Sequence, residues 1–209
     1  MARRSHRRAL GLVAAVLAGL LLSATPGQAA VQSPSAKPAT GSVQLAFGPT
    51  FVQQMFTAGV FIYGASSVTV RMGDSGSLSA TFPLGGRSTA APTSLIRIDG
   101  ENGGLTFING PAGATAALGS LVVRRTGGTG VVTGEIVGPF SSDTGQFAQT
   151  MPVFTLSSAR AKASGSGWSM TAHMALTDQG AATLNTLLST SIFRAGARIG
   201  SLSADVSTG

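Results

Sequence analysis

The chain has 209 residues, of which 43% are hydrophobic and 10% are charged, and it contains 29 glycines and no cysteine. This composition argues against a disordered chain, and the lack of cysteine excludes a disulfide scaffold, a cysteine-ligated iron–sulfur cluster and thiol catalysis. The formal net charge of +7 would favour an anionic partner if it were spread over a folded surface. Whether the net charge indicates an anionic partner therefore depends on where the basic residues lie in the chain.

The N-terminal segment has the organisation of a secretory signal peptide. Four arginines within the first eight residues precede an apolar run over residues 10–22, and the small residues Gly27 and Ala29 fit the cleavage positions. The run of 13 residues is shorter than the roughly 20 that a membrane-spanning helix needs. We therefore predict a signal peptide over residues 1–29, with cleavage after Ala29 or one residue later.

Removal of this segment lowers the formal net charge to +3, because 4 of the 14 basic residues leave and all 7 acidic residues stay. Residues 30–42 are rich in Pro, Ser and Ala and are predicted to form a linker. The densest remaining basic pairs, Arg124 with Arg125 and Arg160 with Lys162, lack interleaved aromatic residues that could stack bases. We predict no nucleic-acid partner, no membrane span in the mature chain, and a protein that is secreted, extracellular or associated with the cell wall.

From Val43 onward the chain shows the two-residue alternation of half-buried strands. Apolar residues alternate with polar ones in three early segments, which contain Val43, Leu45 and Phe47, then Val68 and Val70, then Leu78, Ala80 and Phe82. We place the folded domain at residues 43–205, followed by a tail at residues 206–209.

Three later pairs of segments are typical of β-hairpins, because each pair flanks a glycine-rich turn. Residues 94–99 and 105–109 flank Gly100–Gly104, residues 115–125 and 131–137 flank Thr126–Gly130, and residues 151–163 and 168–177 flank Ser164–Gly167. Repeated long hairpins predict an all-β fold, either an antiparallel β-sandwich or a β-barrel.

Two segments have helical rather than alternating spacing. Thr50 is predicted to cap a short helix that ends at Gly59, and Thr177 to cap a second one that carries Ala181 and Leu184. The apolar residues of the first helix are Phe51, Val52, Met55 and Phe56. Each helix has a single apolar stripe, so we expect the two helices to close the ends of the β structure.

The mature chain offers few residues for catalysis. It holds one histidine, His173, and one tyrosine, Tyr63. Gly73–Ser77 resembles a serine-hydrolase nucleophile motif, but no histidine of the mature chain precedes it, as the protease order would require, so a β-turn is the simpler interpretation. We predict that the protein is not an enzyme.

Metal binding has equally little support in the sequence. Strand alternation places His173 on the face opposite to Met170 and Met174, which argues against a copper site. Residues 99–102 contain two acids and an asparagine beside a glycine turn, but they lack the regular acidic spacing of a calcium loop. We predict no metal site.

The order of several short blocks along the chain is informative. The blocks are Val43–Phe47 before the first helix, Leu78–Gly86, Gly103–Phe107, Leu176–Asn185, Phe193–Gly196 and Ile199–Ser201. This order resembles the HtaA family of secreted actinobacterial domains that are associated with haem transport, and the resemblance covers about residues 43–205.

The resemblance implies a β-rich extracellular domain that, in its haem-binding members, holds iron with a tyrosine near the first helix and a histidine near the glycine hairpin. Here the first helix has no tyrosine, and Glu101 stands where related sequences often carry histidine. Tyr63 lies just beyond the helix and is a candidate axial ligand, since a tyrosinate can hold ferric haem. A lone tyrosine after an apolar run is more often a partly buried strand residue with its hydroxyl in water. The candidate ligand-binding residues are Tyr63, Glu101 and His173.

Two functions are consistent with these observations. The first is a secreted, non-enzymatic HtaA-like β domain that acts in binding or at the cell surface, with haem as the expected ligand and haem or another envelope protein as the expected partner. The alternative is a structural or interaction protein of the cell envelope that binds no small molecule.

Overall fold

The computed structural model describes residues 36–141 and 145–209, so the predicted signal peptide and the first residues of the predicted linker lie outside the described residues. Within the described residues the chain is mainly β-strand, with two α-helices and one 3-10 helix, η1 (Gly100–Asn102). The helices are α1 (Pro49–Thr57) and α2 (Asp178–Leu187). The strands are β1 (Lys37–Phe47), β2 (Val60–Ala65), β3 (Thr69–Met72), β4 (Leu78–Leu84), β5 (Thr89–Ala91), β6 (Leu95–Arg97), β7 (Gly104–Asn109), β8 (Ala114–Thr126), β9 (Thr129–Ser141), β10 (Gly145–Ser164), β11 (Gly167–Leu176) and β12 (Arg198–Thr208).

Eight of these strands form a closed antiparallel barrel in the order β1, β12, β11, β10, β9, β8, β6 and β5. The closure is made by β1, which pairs with β12 from Ala39 opposite Thr208 to Phe47 opposite Gly200. At its start β1 also pairs with β5, where Lys37 lies opposite Ala90. The prediction of an all-β antiparallel fold is confirmed, and of the two predicted architectures the structure is the barrel.

The strands of the barrel extend beyond the predicted bounds of the domain. β1 begins at Lys37, six residues before Val43, and β12 continues to Thr208, beyond residue 205. The side chain of Ala39 is only 3% exposed in this added part. Composition concealed the extension because pairing there uses backbone N–H and C=O groups, which serine and alanine supply in full and of which proline lacks only the N–H.

The predicted hairpin of residues 94–99 with residues 105–109 is wrong. β6 and β7 do not pair with each other, and both pair with β8: β7 lies against Ala114–Leu118 and β6 against residues 122–124. The turn η1 and Gly103, which has a φ of 101°, redirect the chain between the two strands. Only glycine fits there without strain, because a Cβ at Gly103 would overlap the carbonyl oxygen of Ala65. The hairpins β8–β9 and β10–β11 are confirmed.

Alternating side chains fill the barrel. In β4 every second residue is buried and the residues between them are half-buried, as the two-residue period predicts. The largest side chains that are less than 2% exposed are aromatic: Phe47, Phe82, Phe107 and Phe154. Burial of each such side chain contributes about 1.5–3 kcal/mol relative to an exposed one.

Both helices lie at one end of the barrel, which we call the helical end, rather than one at each end as predicted. The ring of Phe51 in α1 lies 5.8 Å from Phe47 at the end of β1, and 6.1 Å from Phe193 in the segment after α2. Buried Asn109 of β7 donates a hydrogen bond of 2.7 Å from Nδ2 to the carbonyl of Leu188, which fixes the C-terminal end of α2. The other end of the barrel, which carries the β8–β9 and β10–β11 turns, is called the hairpin end.

The two helix starts differ in how they are capped. Thr177 caps α2 as predicted, since its Oγ1 accepts a hydrogen bond of 2.9 Å from the N–H of Gly180. The predicted cap at Thr50 is wrong: Gly48 is the N-cap of α1 and makes no side-chain hydrogen bond. Pro49 begins this helix because its fixed φ suits the first helical turn and its missing N–H has no partner there in any case.

We expect Gly200→Ala to destabilise the barrel at its closure. A Cβ at Gly200 would overlap the carbonyl oxygen of Ala46 on β1, so the two strands would have to move apart. The expected loss in free energy of unfolding is about 2 kcal/mol, measured by urea denaturation. Gly119→Ala is the control, because no atom lies within 4 Å of its added Cβ. Equal losses in both variants would contradict the assigned role of the β1–β12 contact.

Candidate ligand-binding surface

Tyr63 lies on the outer face of β2. Val60 and Ile62 point into the core, and Phe61 and Tyr63 alternate with them toward solvent. Tyr63 lies opposite Thr106 of β7 and is 53% exposed. Its position therefore agrees with both interpretations of the sequence, a strand residue with its hydroxyl in water and a phenol open to a ligand.

Tyr63 belongs to an exposed apolar surface at the helical end. The large hydrophobic side chains that are exposed among the described residues are Phe56, Phe61, Tyr63 and Met72. We call these four residues the aromatic shelf. Isolated exposed apolar side chains are ordinary on a protein surface, whereas adjoining ones indicate a contact surface.

Contacts from α1 join the members of the aromatic shelf. The ring of Phe56, at the end of α1, lies 5.5 Å from that of Phe61 on β2. Phe56 and Met72 of β3 also line one surface depression of about 410 Å³ together with Pro49 and Val52. β2 and β3 lie side by side, since a Cβ on Gly64 would be 3.2 Å from Cγ2 of Val70. Phe56 thus contacts Phe61 and borders the depression that contains Met72, and Tyr63 lies two residues from Phe61 on the same face of β2.

A second depression borders α1 on the side of the segment that follows α2. It measures about 560 Å³, and it is lined mainly by polar residues, among them Gln53, Gln54 and Ser191. Arg194 supplies the cationic group of this depression. The end of α1 therefore separates an apolar surface from a polar one.

Glu101 lies in the η1 turn, and the hydrogen bonds and the ion pair around it stabilise that turn. Asp99 caps η1 by accepting hydrogen bonds from the N–H of Glu101 (3.2 Å) and from the N–H of Arg87 (3.1 Å). The Glu101 carboxylate forms an ion pair of 3.6 Å with Arg87, and both side chains are more than 70% exposed. No group of three potential metal ligands occurs in residues 36–141 and 145–209. The carboxylates of Asp99 and Glu101 thus interact with groups of the η1 turn and with Arg87.

His173 lies on the outer face of β11, as the alternation predicts, while Met170 and Met174 point into the core. Nη2 of Arg198 lies 2.8 Å from Nδ1 of His173. A guanidinium can only donate, so Nδ1 accepts this hydrogen bond. His173 thus has a hydrogen-bond partner, Arg198, on the adjacent strand β12.

The three predicted binding residues do not converge. β2 and β11 are separated along the sheet by β7, β8, β9 and β10, and both Tyr63 and His173 face outward. Glu101 is paired with Arg87 and His173 with Arg198. Each remains a separate prediction as a ligand-binding residue. Sequence reasoning assigned Phe56 to a buried stripe and missed Phe61, although its two-residue spacing from Tyr63 could have placed both on one face.

The Gly73–Ser77 segment is a hydrogen-bonded turn. The N–H of Gly76 donates to the carbonyl of Gly73 (2.9 Å), and the N–H of Gly73 donates to the carbonyl of Ser77 (2.8 Å). Oγ of Ser75 donates to Oγ of Ser77 (3.3 Å), which is no general base. The geometry agrees with the turn interpretation of this motif.

No protein-family model matches the chain, and no curated protein matches it significantly. Solved structures do match. The C-terminal domain of HtaA from Corynebacterium glutamicum matches with a TM-score of 0.55 and 13% identity, over 84% of this chain and 100% of that one. The heme binding protein HtaB from the same organism matches with a TM-score of 0.56 and 11% identity, over 84% and 96% of the two chains. The N-terminal domain of HtaA matches with a TM-score of 0.55 and 14% identity, over 81% and 97%.

These matches define the class of fold. The chain has the fold of the HtaA and HtaB domains, and the resemblance predicted from the sequence blocks is confirmed at the level of the fold. Among the helices of the described residues, none is both long and apolar enough to cross a membrane.

We expect the aromatic shelf to contribute little to stability. Phe61 is 40% exposed and contacts mainly the ring of Phe56, so Phe61→Ala should lower the free energy of unfolding by about 1 kcal/mol. Phe107→Ala, in the core, should cost about 3–5 kcal/mol. Chemical denaturation measures both values. A loss for Phe61→Ala as large as that for Phe107→Ala would mean that Phe61 is kept for folding rather than for contact with a ligand.

Proposed function

We propose that the protein is a secreted, non-enzymatic HtaA-like domain that binds haem on the aromatic shelf, with Tyr63 as the iron ligand. The observation that carries this proposal is the exposed phenol of Tyr63, which lies on the same face of β2 as Phe61, whose ring contacts that of Phe56. The fold supports it, since one protein of the same fold is described as a heme binding protein.

The residues of the shelf fit the two chemical needs of haem. A porphyrin is a flat apolar ring, and aromatic side chains together with the polarisable thioether of methionine are suitable contacts for it. A tyrosinate is a known ligand of ferric haem, as in catalase. Bound haem would supply a ferric iron with a coordination position, and this chain would supply the phenol and the apolar surface. The exposure of Tyr63 leaves its hydroxyl open to a ligand that arrives from solvent.

Export and lack of catalysis are further parts of the proposal. Export is supported by the arginines, apolar run and small residues of segment 1–29. A non-enzymatic role is supported by two pairings: the Ser75 hydroxyl donates to Ser77, and His173 is hydrogen-bonded to Arg198 rather than to a hydroxyl.

Titration of the purified mature protein with hemin tests the haem proposal. We expect a shifted Soret band that saturates at one equivalent and a charge-transfer band typical of a phenolate ligand. Tyr63→Phe keeps the ring and removes only the hydroxyl, so it should abolish the charge-transfer band and weaken binding at least tenfold. Phe61→Ala should weaken binding without changing the ligand spectrum.

His173→Gln is the control, because His173 lies on another face of the barrel. Its titration should match that of the unsubstituted protein. The absence of a shifted Soret band at stoichiometric hemin, with folded protein, would contradict haem binding. A loss of the band in His173→Gln but not in Tyr63→Phe would move the ligand to the other face.

The alternative, a structural or interaction protein of the cell envelope, is favoured by one observation. Glu101 and His173 already have partners in Arg87 and Arg198. Fractionation of the native host separates the two functions. Retention of colourless protein in the wall fraction, together with a negative hemin titration, would support the alternative.

The N-terminus of the exported protein provides an independent check. Mass spectrometry of the culture medium and wall fraction should identify a mature chain that begins at Ala30 or Val31. Full-length protein confined to the cell interior would contradict export.

A further inference from the structure

A cluster of basic side chains lies on the surface at the hairpin end, away from the aromatic shelf. A depression of about 300 Å³ is lined by Arg97 of β6 and by Arg124 and Arg125 of β8, with Ala91, Ser94, Leu95 and Thr126 around them. We call the three arginines and this depression the arginine pocket. No acidic residue belongs to its lining.

Strand register brings Arg97 to Arg124. Leu95 lies opposite Arg124 and Arg97 opposite Val122, so Arg97 and Arg124 are diagonal neighbours on the outer face. Diagonal positions on an antiparallel pair are separated by about 7–8 Å, which is within reach of one ligand for two long side chains. Both arginines are exposed. The sequence separates them by 27 positions, and only the pairing of β6 with β8 places them side by side.

Arg125 is held in place by the backbone. Its Nε donates a hydrogen bond of 2.6 Å to the carbonyl of Thr93, and its Nη1 donates to the carbonyl of Gly127. Its own N–H donates to the carbonyl of Ser94 (2.8 Å). A guanidinium has more donors than these two side-chain bonds use, so a fixed set of N–H groups remains for a ligand.

The segment that holds Arg125 is strained. Thr93 has a φ of 57°, in the left-handed region that β-branched residues rarely adopt. Such a conformation is unfavourable and persists where other contacts over-determine it, often at binding sites. The carbonyl of Thr93 is the one that fixes Arg125, which links the strain to the pocket.

The arginines of the pocket form no salt bridge with a carboxylate among the described residues. Within the part of the chain that the structure describes, the one salt bridge joins Arg87 to Glu101. Asp99, two residues from Arg97, accepts hydrogen bonds from the N–H groups of Arg87 and Glu101 instead. Like charges at neighbouring positions of a sheet are destabilising, so an anionic ligand would relieve a repulsion that the protein leaves in place.

We propose that the arginine pocket binds a phosphate group. Planar guanidinium groups make paired hydrogen bonds to phosphate oxygens, and three of them around a depression of this size suit a phosphate rather than a large ring. The pocket is open to solvent on the outside of the barrel. The bound phosphate group is therefore either a free phosphate ion or one phosphate of a longer chain. This site lies at the opposite end of the barrel from the proposed haem surface and does not depend on it.

Calorimetric titration of the mature protein with inorganic phosphate, and separately with tripolyphosphate, at low ionic strength tests the proposal. The double variant Arg97→Gln/Arg124→Gln should weaken binding at least tenfold. The matched control Arg71→Gln/Lys162→Gln removes the same charge from exposed positions on β3 and β10, and it should change binding less than twofold. Arg97→Lys/Arg124→Lys keeps the charge and loses the planar fork, so it should also weaken binding.

Tighter binding of tripolyphosphate than of phosphate that persists at physiological ionic strength, where non-specific attraction is screened, would indicate a phosphate within a longer chain, and equal binding there would indicate the free ion. Equal losses in the two glutamine double variants would overturn the proposal, because net charge alone would then explain binding. No heat with either anion would overturn it as well.

A second measurement needs no variant. Phosphate should protect Arg97 and Arg124, but not Arg71, from modification by phenylglyoxal, as read by peptide mass spectrometry. Unprotected Arg97 and Arg124 at saturating phosphate would also overturn the proposal.

Discussion

Hydrogen bonding between β1 and β12 closes the barrel, and the arrangement of both surfaces depends on that closure. Without it, both strands would be exposed edges that could pair with other chains. The contact is close enough that Gly200 has no room for a side chain against the carbonyl of Ala46. Closure also fixes which residues face outward on the strands of the barrel, among them His173 on β11 and Arg124 on β8.

The closed barrel places an apolar surface and a basic surface at its opposite ends. At the helical end, α1 follows β1 and brings Phe56 against Phe61, which gives an apolar surface with a phenol. At the hairpin end, β5 and β6 pair beside the start of β1 and the end of β8, where Arg97 and Arg124 meet. The two ends can therefore bind different ligands, because no side chain takes part in both surfaces.

The HtaA and HtaB domains share this barrel at 11–14% identity, so the fold tolerates nearly complete replacement of its residues. In this chain the barrel depends on the alternation of inward apolar residues. The outer face, where the proposed ligand contacts lie, is not bound by that requirement. Glu101, at the position where the resemblance implies histidine, illustrates that freedom: it pairs with Arg87 and stabilises a turn.

The sequence by itself determined the features that depend on near neighbours in the chain. Two-residue alternation placed His173 outside and Met170 and Met174 inside, and Thr177 marked the start of α2. Glycine turns identified the β8–β9 and β10–β11 hairpins. Which distant strands pair with each other was determined only by the tertiary structure, because backbone pairing is nearly independent of side-chain identity. β6 therefore joined β8 rather than β7, and the barrel, the aromatic shelf and the arginine pocket all follow from such long-range pairings and from the packing of α1 against β2.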